Sequence, residues 1–439
     1  MTRVVSLLKN AAPLASRGLR GQTCASFSTG QRLHVKIVEP EFVGIDHHQL
    51  GRVHQHLRDR YIEPVKIPGS LTLVERNGET CLLDVQGHRD LERGTPMTAD
   101  TIFRIYSMTK PIVSVALMTL YERGMFALTD PVHRYIPSWQ NLQVRTGGSY
   151  PNFTTEPCKR PMTIADLLSH TSGLTYDFLE ATEIDHAYRE LEVARVRHGS
   201  TLQTMIDQLA ELPLEFSPGE RWNYSVATDV LGYLIEVISG RPLPDFLQST
   251  IFEPLGMVDT SFNIAADKVD RLASCYQRDM NKSLALIDDG QASAYRDRTF
   301  FSGGGGLLST ASDYQRFCKM LLAGGTLDGK RVIGSRTLGL MTRNHLPGGQ
   351  DMSRFALGSF SETAYEGVGF GLGFANRLDP AANGSSCSEG SYYWGGLAST
   401  LFWVDPREEL IVIFMTQLIP SSTFNFRGQL ESIIYGALN

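Results

Sequence analysis

The sequence predicts an α+β fold in which one antiparallel sheet is built from both chain ends, with packed helices and a helical lobe between them. A hairpin pattern follows the first helix, mostly helical patterns fill the middle, and β-rich segments precede a last helix. With 439 residues, 42% of them hydrophobic, the chain is long enough for a large core.

Helix and strand patterns alternate in the first third of the chain. The predicted elements are a helix over 48–61, strands over 70–75 and 81–87, a long apolar helix starting near Ser107, and a loop over 140–161. Asn77-Gly78 predicts the tight turn between the two strands, because this dipeptide tolerates a positive φ. Gly124 predicts the end of the apolar helix for a similar reason.

Helices dominate the middle of the chain and strands its last part. Further helices are predicted over 164–169, 202–212, 225–238, 244–251, 311–322 and 427–438. Thr163, Thr201 and Thr310 are candidate N-caps for three of them, and Gly240 is a candidate stop. Three segments have the β-branched and aromatic composition of antiparallel strands: 370–374, 391–404 and 410–416.

The first 38 residues form a basic segment without an acidic side chain. They carry a net charge of +6, which leaves −12 for the remainder. Their Arg-, Ser- and Ala-rich composition is typical of organelle transit peptides, whereas a secretory signal fits worse because Lys9 interrupts a short apolar run. The sequence predicts a mitochondrial leader over 1–38 and one domain over 39–439, with a cytoplasmic protein carrying a basic tail as the alternative.

Composition and charge argue against several classes of function. The chain has a net charge of −6 and no basic cluster of the kind that binds nucleic acid. No apolar run approaches the ~18 residues of a membrane span. The six cysteines are scattered without a C-x-x-C pair, which indicates reduced structural thiols and no zinc site. Four histidines near the first helix lie among charged residues typical of a solvated face, so no metal site is predicted there: His47, His48, His54 and His56.

Ser107-Met108-Thr109-Lys110 places a hydroxyl and an amine three residues apart, on one face of a helical turn. A serine beside a desolvated lysine can be an activated nucleophile. The tetrapeptide pattern alone is weak, because Ser6 and Lys9 match it too. The second copy differs in its context, because a β-rich segment precedes it and an apolar helix follows it, which places Ser107 at a buried helix N-terminus. A capping serine and a surface lysine are the alternative.

Two further segments are informative only in combination. Tyr224 lies at a turn-to-helix junction, where a phenol can project into a cleft; taken alone, it is more typical of a packed core tyrosine. Gly395 and Gly396 follow Trp394 in a predicted strand. Paired glycines in a strand mark either a bulge or the close approach of a ligand or another backbone.

In combination, these segments resemble the serine β-lactamase and penicillin-binding-protein superfamily, most of all the class C-like esterases called family VIII carboxylesterases. The resemblance covers residues 69–439 and implies a β-lactamase/transpeptidase-like fold with the cleft on the helical lobe. S-x-x-K is intact, Y-x-N corresponds to Tyr224-Ser225-Val226, and K-T-G corresponds to Trp394-Gly395-Gly396. Three supporting stretches also resemble the family: residues 168–174, 252–257 and 304–311.

Two departures from the family pattern indicate a changed substrate. Val226 stands where the family has an amide that would bind a substrate amide, and Trp394 stands where it has a cation for a substrate carboxylate. A charge-assisted hydrogen bond contributes about 1.5–3 kcal/mol, so these losses weaken recognition of carboxylate-bearing lactams and peptides. Trp394 offers an apolar wall instead, and W-G-G resembles the pattern of the esterase branch and of related acyltransferases.

The resemblance also implies the roles of the site residues. Ser107 is the nucleophile, and Lys110 and Tyr224 share the task of accepting its proton; both have free pKa values near 10, so the sequence does not assign the base to one of them. The backbone amides of Ser107 and Leu397 form the oxyanion hole. Val226, Trp394, Gly395 and Gly396 line the substrate site, and neither a cofactor nor a metal is needed.

The sequence thus predicts a serine hydrolase that cleaves short-chain carboxylic esters through an acyl-enzyme, with a small-molecule ester as its partner. An acyltransferase, a β-lactamase, an amide hydrolase for small oligomers and an inactive penicillin-binding-like scaffold are the alternatives. An α/β-hydrolase is unsupported, because the chain has no G-x-S-x-G elbow. His170 is predicted to be structural, and residues 303–306 are predicted to form a tight turn beside the cleft.

Overall fold

Strands from the two ends of the chain meet in one sheet. The computed structural model describes residues 36–194, 199–357 and 365–439. Its strands are, in chain order, β1 Gly69–Arg76, β2 Glu79–Asp90, β3 Thr95–Pro96, β4 Phe103–Arg104, β5 Gln143–Ser149, β6 Asn152–Pro157, β7 Cys275–Arg278, β8 Leu284–Asp288, β9 Leu308–Ser309, β10 Thr326–Leu327, β11 Lys330–Arg331, β12 Val368–Phe370, β13 Ala375–Arg377, β14 Tyr392–Gly396, β15 Thr400–Asp405, β16 Leu410–Met415 and β17 Leu418–Ile419.

The main sheet has eight antiparallel strands in the order β12-β13-β14-β15-β16-β1-β2-β3. Next to its centre is the pair β1–β16, in which Leu73 lies opposite Ile413. Strand β1 from the first part of the chain thus pairs with β16 from the last part, as predicted. Smaller sheets join β4 to β9, β5 to β6, β10 to β11, and β17 to β7 and β8.

The helices cover both faces of this sheet and build the lobe beside it. They are α1 His47–Leu50, α2 Arg52–Leu57, α3 Thr109–Glu122, α4 Ile164–Leu168, α5 Glu183–Glu190, α6 Leu202–Ala210, α7 Ala227–Ser239, α8 Leu243–Leu247, α9 Glu253–Leu255, α10 Ala311–Leu322, α11 Ser335–Met341, α12 Met352–Phe355 and α13 Phe426–Tyr435. Short π-helical turns, Arg58–Ile62 and Gln248–Phe252, follow α2 and α8.

Aromatic contacts fix one helix on each face of the sheet. Phe402 of β15 lies 5.0 Å from Tyr314 of α10, measured between ring centroids, and Phe414 of β16 lies 4.9 Å from Phe426 of α13. Phe402 and Phe414 project to opposite faces, since Phe414 pairs with Leu401, the neighbour of Phe402. Every residue of β16 is buried, as expected of a strand covered on both sides.

Local signals in the sequence predicted several element ends correctly. Thr163, Thr201 and Thr310 each cap a helix by accepting a hydrogen bond from the backbone amide three residues later. Gly124 and Gly240 follow α3 and α7 with φ values of 68° and 69°, a backbone conformation that costs glycine little. These signals act over a few residues, so tertiary context had little influence on them.

Three predicted segments are wrong in detail. Residues 140–161 are not a loop: they contain the exposed hairpin β5–β6, whose Gly- and Thr-rich strands lack the apolar alternation that identifies half-buried strands. Of the predicted strand 370–374, only Phe370 is in a strand, and 371–374 form the hairpin turn between β12 and β13. The predicted strand 391–404 is divided into β14 and β15 by a turn at 397–399. Four α-helices in the described residues were not predicted: α5, α9, α11 and α12.

The predicted leader falls mainly on residues 1–35, which lie outside the described residues, so the leader, its boundary and the mitochondrial location stay predictions. Residues 36–439 form one compact unit. No helix in the described part of the chain is long and apolar enough to cross a membrane. Across residues 36–194, 199–357 and 365–439, no group of three or more His, Cys, Asp or Glu side chains is arranged to hold a metal ion.

Candidate active site

The nucleophile candidate lies on a short connection between strand and helix. Ser107 belongs to the 3₁₀ turn Tyr106–Met108, which leads from β4 directly into α3. Tyr106 has a φ of 42°, which is uncommon for a bulky side chain and costs about 1–3 kcal/mol. Such strain persists only where the surrounding structure enforces it. The sharp turn leaves Ser107 partly exposed while Lys110, one helical turn later, is buried.

Ser107, Lys110 and Tyr224 are brought together at this turn. Tyr224 Oη lies 2.6 Å from Ser107 Oγ, and Lys110 Nζ lies 3.2 Å from the same oxygen. The lysine is only 2% exposed, and its ammonium lies 4.6 Å from the centroid of the Tyr224 ring. The packing of α3 against α7 produces this arrangement, because Tyr224 lies three residues before the start of α7. The hydroxyl therefore has two groups within proton-transfer distance.

The ammonium of Lys110 has two further hydrogen-bond acceptors. It donates to Tyr176 Oη at 2.9 Å and to the backbone carbonyl oxygen of Gly304 at 2.7 Å. Together with Ser107 Oγ, these acceptors match the three N–H bonds of an ammonium group. The contacts fix the direction of a side chain that would otherwise have several rotamers, so Nζ stays beside the nucleophile.

A buried carboxylate supports the turn that carries Gly304. Asp229 of α7 is 1% exposed and accepts hydrogen bonds from the Gly304 amide at 2.9 Å and from the Ser302 hydroxyl at 2.5 Å. Burial raises the pKa of Asp229, and the positive charge of Lys110 opposes that shift. The residues predicted as a tight turn, 303–306, do form one. The turn presents its carbonyl to Lys110 because Asp229 holds its amide.

The two predicted oxyanion-hole amides belong to adjoining segments. Leu397 begins the turn between β14 and β15. Thr400 Oγ1 lies 3.4 Å from the carbonyl oxygen of Ile105, two residues before Ser107. A Cβ atom on Gly396 would lie 2.4 Å from the same oxygen, so only glycine permits the approach. The structure thus brings the Leu397 turn beside the nucleophile, and the oxyanion role of both amides stays a prediction.

The two glycines after Trp394 do not form a bulge. Gly395 pairs with Leu401 and Gly396 with Thr400 in unbroken register, so the close-approach alternative is correct. Trp394 lies beside the nucleophile group: its ring is 5.4 Å from Tyr224 and 5.3 Å from Phe370. Trp394 thus belongs to the aromatic group around Tyr224, and its role as an apolar wall for the substrate stays a prediction.

Val226 is placed differently from Trp394. It is 1% exposed, precedes the first residue of α7, and donates its amide hydrogen to the Thr175 carbonyl at 3.2 Å. Its backbone therefore helps to fix the segment that carries Tyr176. Its predicted substrate contact stays a prediction.

His170 is a buried structural residue, as predicted. Its Nδ1 lies 3.1 Å from Ser225 Oγ, and its ring lies 5.1 Å from that of Tyr224. Burial lowers the pKa of His170 well below its usual value, and the nearby charge of Lys110 lowers it further. A neutral imidazole packed against Tyr224 positions that ring.

Sequence reasoning missed Tyr176 and Asp229. Neither belongs to a motif that carries chemistry by itself, and Tyr176 becomes a neighbour of Lys110 only through a contact across 66 residues. Asp229 had a weak signal, because it is an acid on a largely buried helix that starts just after Tyr224. A buried acid needs a hydrogen-bonding partner, and here that partner is the Gly304 turn.

Comparison with known proteins assigns the family. A family model described as Beta-lactamase matches residues 57–429. The chain belongs to the β-lactamase family. The resemblance predicted from its motifs is thereby confirmed, and so is the fold.

Relatives within the β-lactamase family include esterases and acyltransferases. Esterase EstB of Burkholderia gladioli is 31% identical over 395 residues, covering 86% of this chain and 93% of that protein. Acyltransferase calJ of Penicillium decumbens is 26% identical, covering 75% and 79%. The solved structure of EstCE1, described as a hydrolase with promiscuous acyltransferase activity, has a TM-score of 0.73 at 26% identity, covering 89% and 98%. These comparisons support an enzyme of the serine hydrolase and acyltransferase kind.

Proposed function

We propose that this member of the β-lactamase family is a serine carboxylesterase that cleaves short-chain carboxylic esters through an acyl-enzyme on Ser107. One observation carries the proposal: Tyr224 Oη and Lys110 Nζ lie 2.6 Å and 3.2 Å from Ser107 Oγ. A scaffold without activity would have no need to bury a lysine beside a tyrosine and a serine, because burying a charge costs free energy. The similarity to esterase EstB supports the same conclusion.

In the acylation step, Ser107 Oγ attacks the ester carbonyl carbon while its proton passes to the pair formed by Lys110 and Tyr224. A C–O bond forms, and the carbonyl oxygen takes up the negative charge. Backbone N–H donors stabilise that charge, and removing one such donor typically costs about 10²–10³ in rate. The bond to the alcohol oxygen then breaks, and the same pair returns the proton to the leaving alcohol.

The deacylation step uses the same groups, with water as the nucleophile. The pair accepts a proton from water, whose oxygen attacks the acyl carbon. The Ser107 ester bond breaks, and Ser107 Oγ recovers the proton. Lys110 and Tyr224 act as one unit, since the tyrosine lies against the nucleophile while the lysine sets the local charge.

The residues at two positions of the family motifs favour an ester over a lactam. Trp394 and Val226 are apolar at the two family positions that hold a cation and an amide. Trp394 packs with Tyr224 and Phe370, which gives the reacting carbonyl an aromatic wall. An uncharged acyl group fits such a wall, whereas a carboxylate beside it would lose hydration without compensation.

Acyl transfer to an alcohol is the second candidate. It shares the acyl-enzyme and differs only in the nucleophile of the second step. The similarity to acyltransferase calJ and to the structure of EstCE1 favours testing it alongside hydrolysis.

The test is hydrolysis of p-nitrophenyl esters from acetate to palmitate by wild type and Ser107→Ala, with nitrocefin in parallel. Ser138→Ala is the matched control, because that serine is exposed on the turn Pro137–Trp139. We expect turnover that is fastest on short chains, lost in Ser107→Ala and retained in Ser138→Ala, with little nitrocefin cleavage. Added alcohols that divert the acyl group would demonstrate transfer. Nitrocefin as the preferred substrate would indicate a β-lactamase, and no Ser107-dependent turnover would overturn the proposal.

A further inference from the structure

An exposed phenylalanine stacks on a tyrosine of the active site. Phe178 lies on the 3₁₀ turn Asp177–Leu179, and its side chain is 45% exposed. Its ring centroid lies 4.7 Å from that of Tyr176, with an angle of 24° between the ring planes. Nearly half of this side chain stays in contact with solvent, so the turn presents an apolar ring surface close to the reacting groups.

Tyr176 links this phenyl ring to the reacting atoms. Its hydroxyl accepts a hydrogen bond from Lys110 Nζ at 2.9 Å, and its ring lies 5.2 Å from that of Tyr224. Tyr224, Tyr176 and Phe178 thus form a continuous row of three rings, which we call the aromatic row. The row starts at the nucleophile and ends in solvent.

Local contacts hold the outer end of the aromatic row in place. Asp185 of α5 accepts hydrogen bonds from the backbone amides of Ala181 and Thr182 at 2.8 and 3.1 Å. Arg189 of the same helix donates to the carbonyl oxygen of Asp177. The turn that carries Phe178 is therefore fixed to α5 from both sides.

The chemistry of the reaction decides which part of a substrate meets this row. The proton that the leaving alcohol needs comes from Lys110 and Tyr224, so the alcohol oxygen must come within hydrogen-bonding distance of them. A substituent of that alcohol lying on the side of Tyr176, which is bonded to Lys110, would meet the aromatic row. The acyl group stays on the carbonyl that Ser107 attacks.

We propose that Phe178, stacked on Tyr176, is the specificity-determining residue of an alcohol subsite for flat aromatic alcohols. The inference rests on the proposed esterase function and adds the class of alcohol to it. An aryl ring stacked against the aromatic row would bind better than a short alkyl group, because offset aromatic pairs are favourable beyond their buried area.

The test compares two acetate esters, 2-naphthyl acetate and ethyl acetate, which give the same acetyl-enzyme and differ only in the alcohol. For Phe178→Ala we expect kcat/KM on 2-naphthyl acetate to fall about 3- to 10-fold, mostly through KM, while ethyl acetate is unaffected. Phe178→Trp keeps a flat ring and should retain the wild-type preference. Phe42→Ala is the control for loss of an exposed phenyl group, since Phe42 is 76% exposed on the turn Pro40–Val43.

Binding of 2-naphthol to Ser107→Ala tests the subsite without any turnover. Its affinity should fall by a similar factor when Phe178→Ala is added, whatever the catalytic activity of the wild type. An equal loss on both esters would assign Phe178 a structural role, and no loss of naphthol affinity would overturn the subsite. Absence of Ser107-dependent hydrolysis with an intact naphthol effect would overturn the esterase proposal alone.

Discussion

Gly304 shows how one missing side chain positions the lysine. A Cβ atom at this position would lie 2.4 Å from Asp229 Oδ2 and 2.8 Å from Tyr176 Oη, distances that nonbonded atoms do not adopt. The carbonyl of the same residue accepts a hydrogen bond from Lys110 Nζ at 2.7 Å. Any shift of this turn therefore moves the acceptor that directs the ammonium toward Ser107.

We expect Gly304→Ala to lower kcat on p-nitrophenyl acetate by at least about 10-fold, because a displacement near 1 Å commonly costs up to 10²-fold. Gly305→Ala is the matched control, since a Cβ atom there would have its nearest neighbour at 3.7 Å, an ordinary contact. Thermal unfolding of both variants checks that they fold. Equal activities of the two variants would refute the positioning role of the Gly304 carbonyl.

Arg104 and Gln417 show how an element supports the site. The side-chain amide of Gln417 accepts a hydrogen bond from the Arg104 amide at 3.2 Å and donates one to the Arg104 carbonyl at 3.1 Å. These are the two backbone hydrogen bonds that a neighbouring strand would otherwise make. The guanidinium of Arg104 is fully buried and pairs with Asp288 at 2.7 Å. Strand β4 is only two residues long and ends three residues before Ser107. These contacts fix its position. Two distant segments thus fix the start of the nucleophile turn.

The start of α6 allows a test of capping at the scale of one element. The hydroxyl of Thr201 accepts from the Thr204 amide at 3.2 Å, and the Thr204 hydroxyl accepts from the Thr201 amide at 3.0 Å, which forms a capping box. We expect Thr201→Ala to lower the free energy of unfolding by about 1 kcal/mol, whereas Thr201→Ser, which keeps the acceptor oxygen, should lose a few tenths at most. Denaturant titration measures both, and equal losses would contradict the capping contribution.

The free energy of unfolding depends on the ionisation of one carboxyl group, that of Glu215. Burial raises the pKa of Glu215 to about 7, and the nearby charge of Asp185 also raises it, whereas Thr182 and Arg145 oppose the shift. In the unfolded chain this carboxyl has an ordinary pKa near 4.3. Between these two values the folded state holds a proton that the unfolded state has lost. Stability therefore falls as the pH rises through this window.

Glu215→Gln should remove this dependence, because an amide keeps an acceptor for Thr182 and does not ionise. We expect the free energy of unfolding of wild type to drop about 2–3 kcal/mol more than that of the variant between pH 5 and pH 7.5. Glu211→Gln, at an exposed position after α6, is the control and should follow wild type. Parallel pH profiles of Glu215→Gln and wild type would refute the assignment.

At the scale of the whole molecule, sequence reasoning was most successful where a signal is local or periodic. The β1–β2 hairpin, the apolar helix α3 and three threonine caps all depend on neighbours within a few residues. The hairpin β5–β6 was missed because both of its strands are largely exposed and carry no apolar alternation. A long apolar run could not reveal the turn between β14 and β15, because strands buried on both faces show no alternation either.

The sequence by itself determined the pairing of Ser107 with Lys110, since residues three apart on one helix face must be neighbours, and its motifs determined the family. Only the tertiary structure decided what surrounds that pair. Tyr224, Tyr176 and the Gly304 carbonyl come from 117, 66 and 194 residues away in the contacts they make. The packing of α3 against α7 and the meeting of both chain ends in one sheet bring these groups together. The physical reason is that hydrogen bonds and packing act over a few ångströms of space, whatever the separation along the chain.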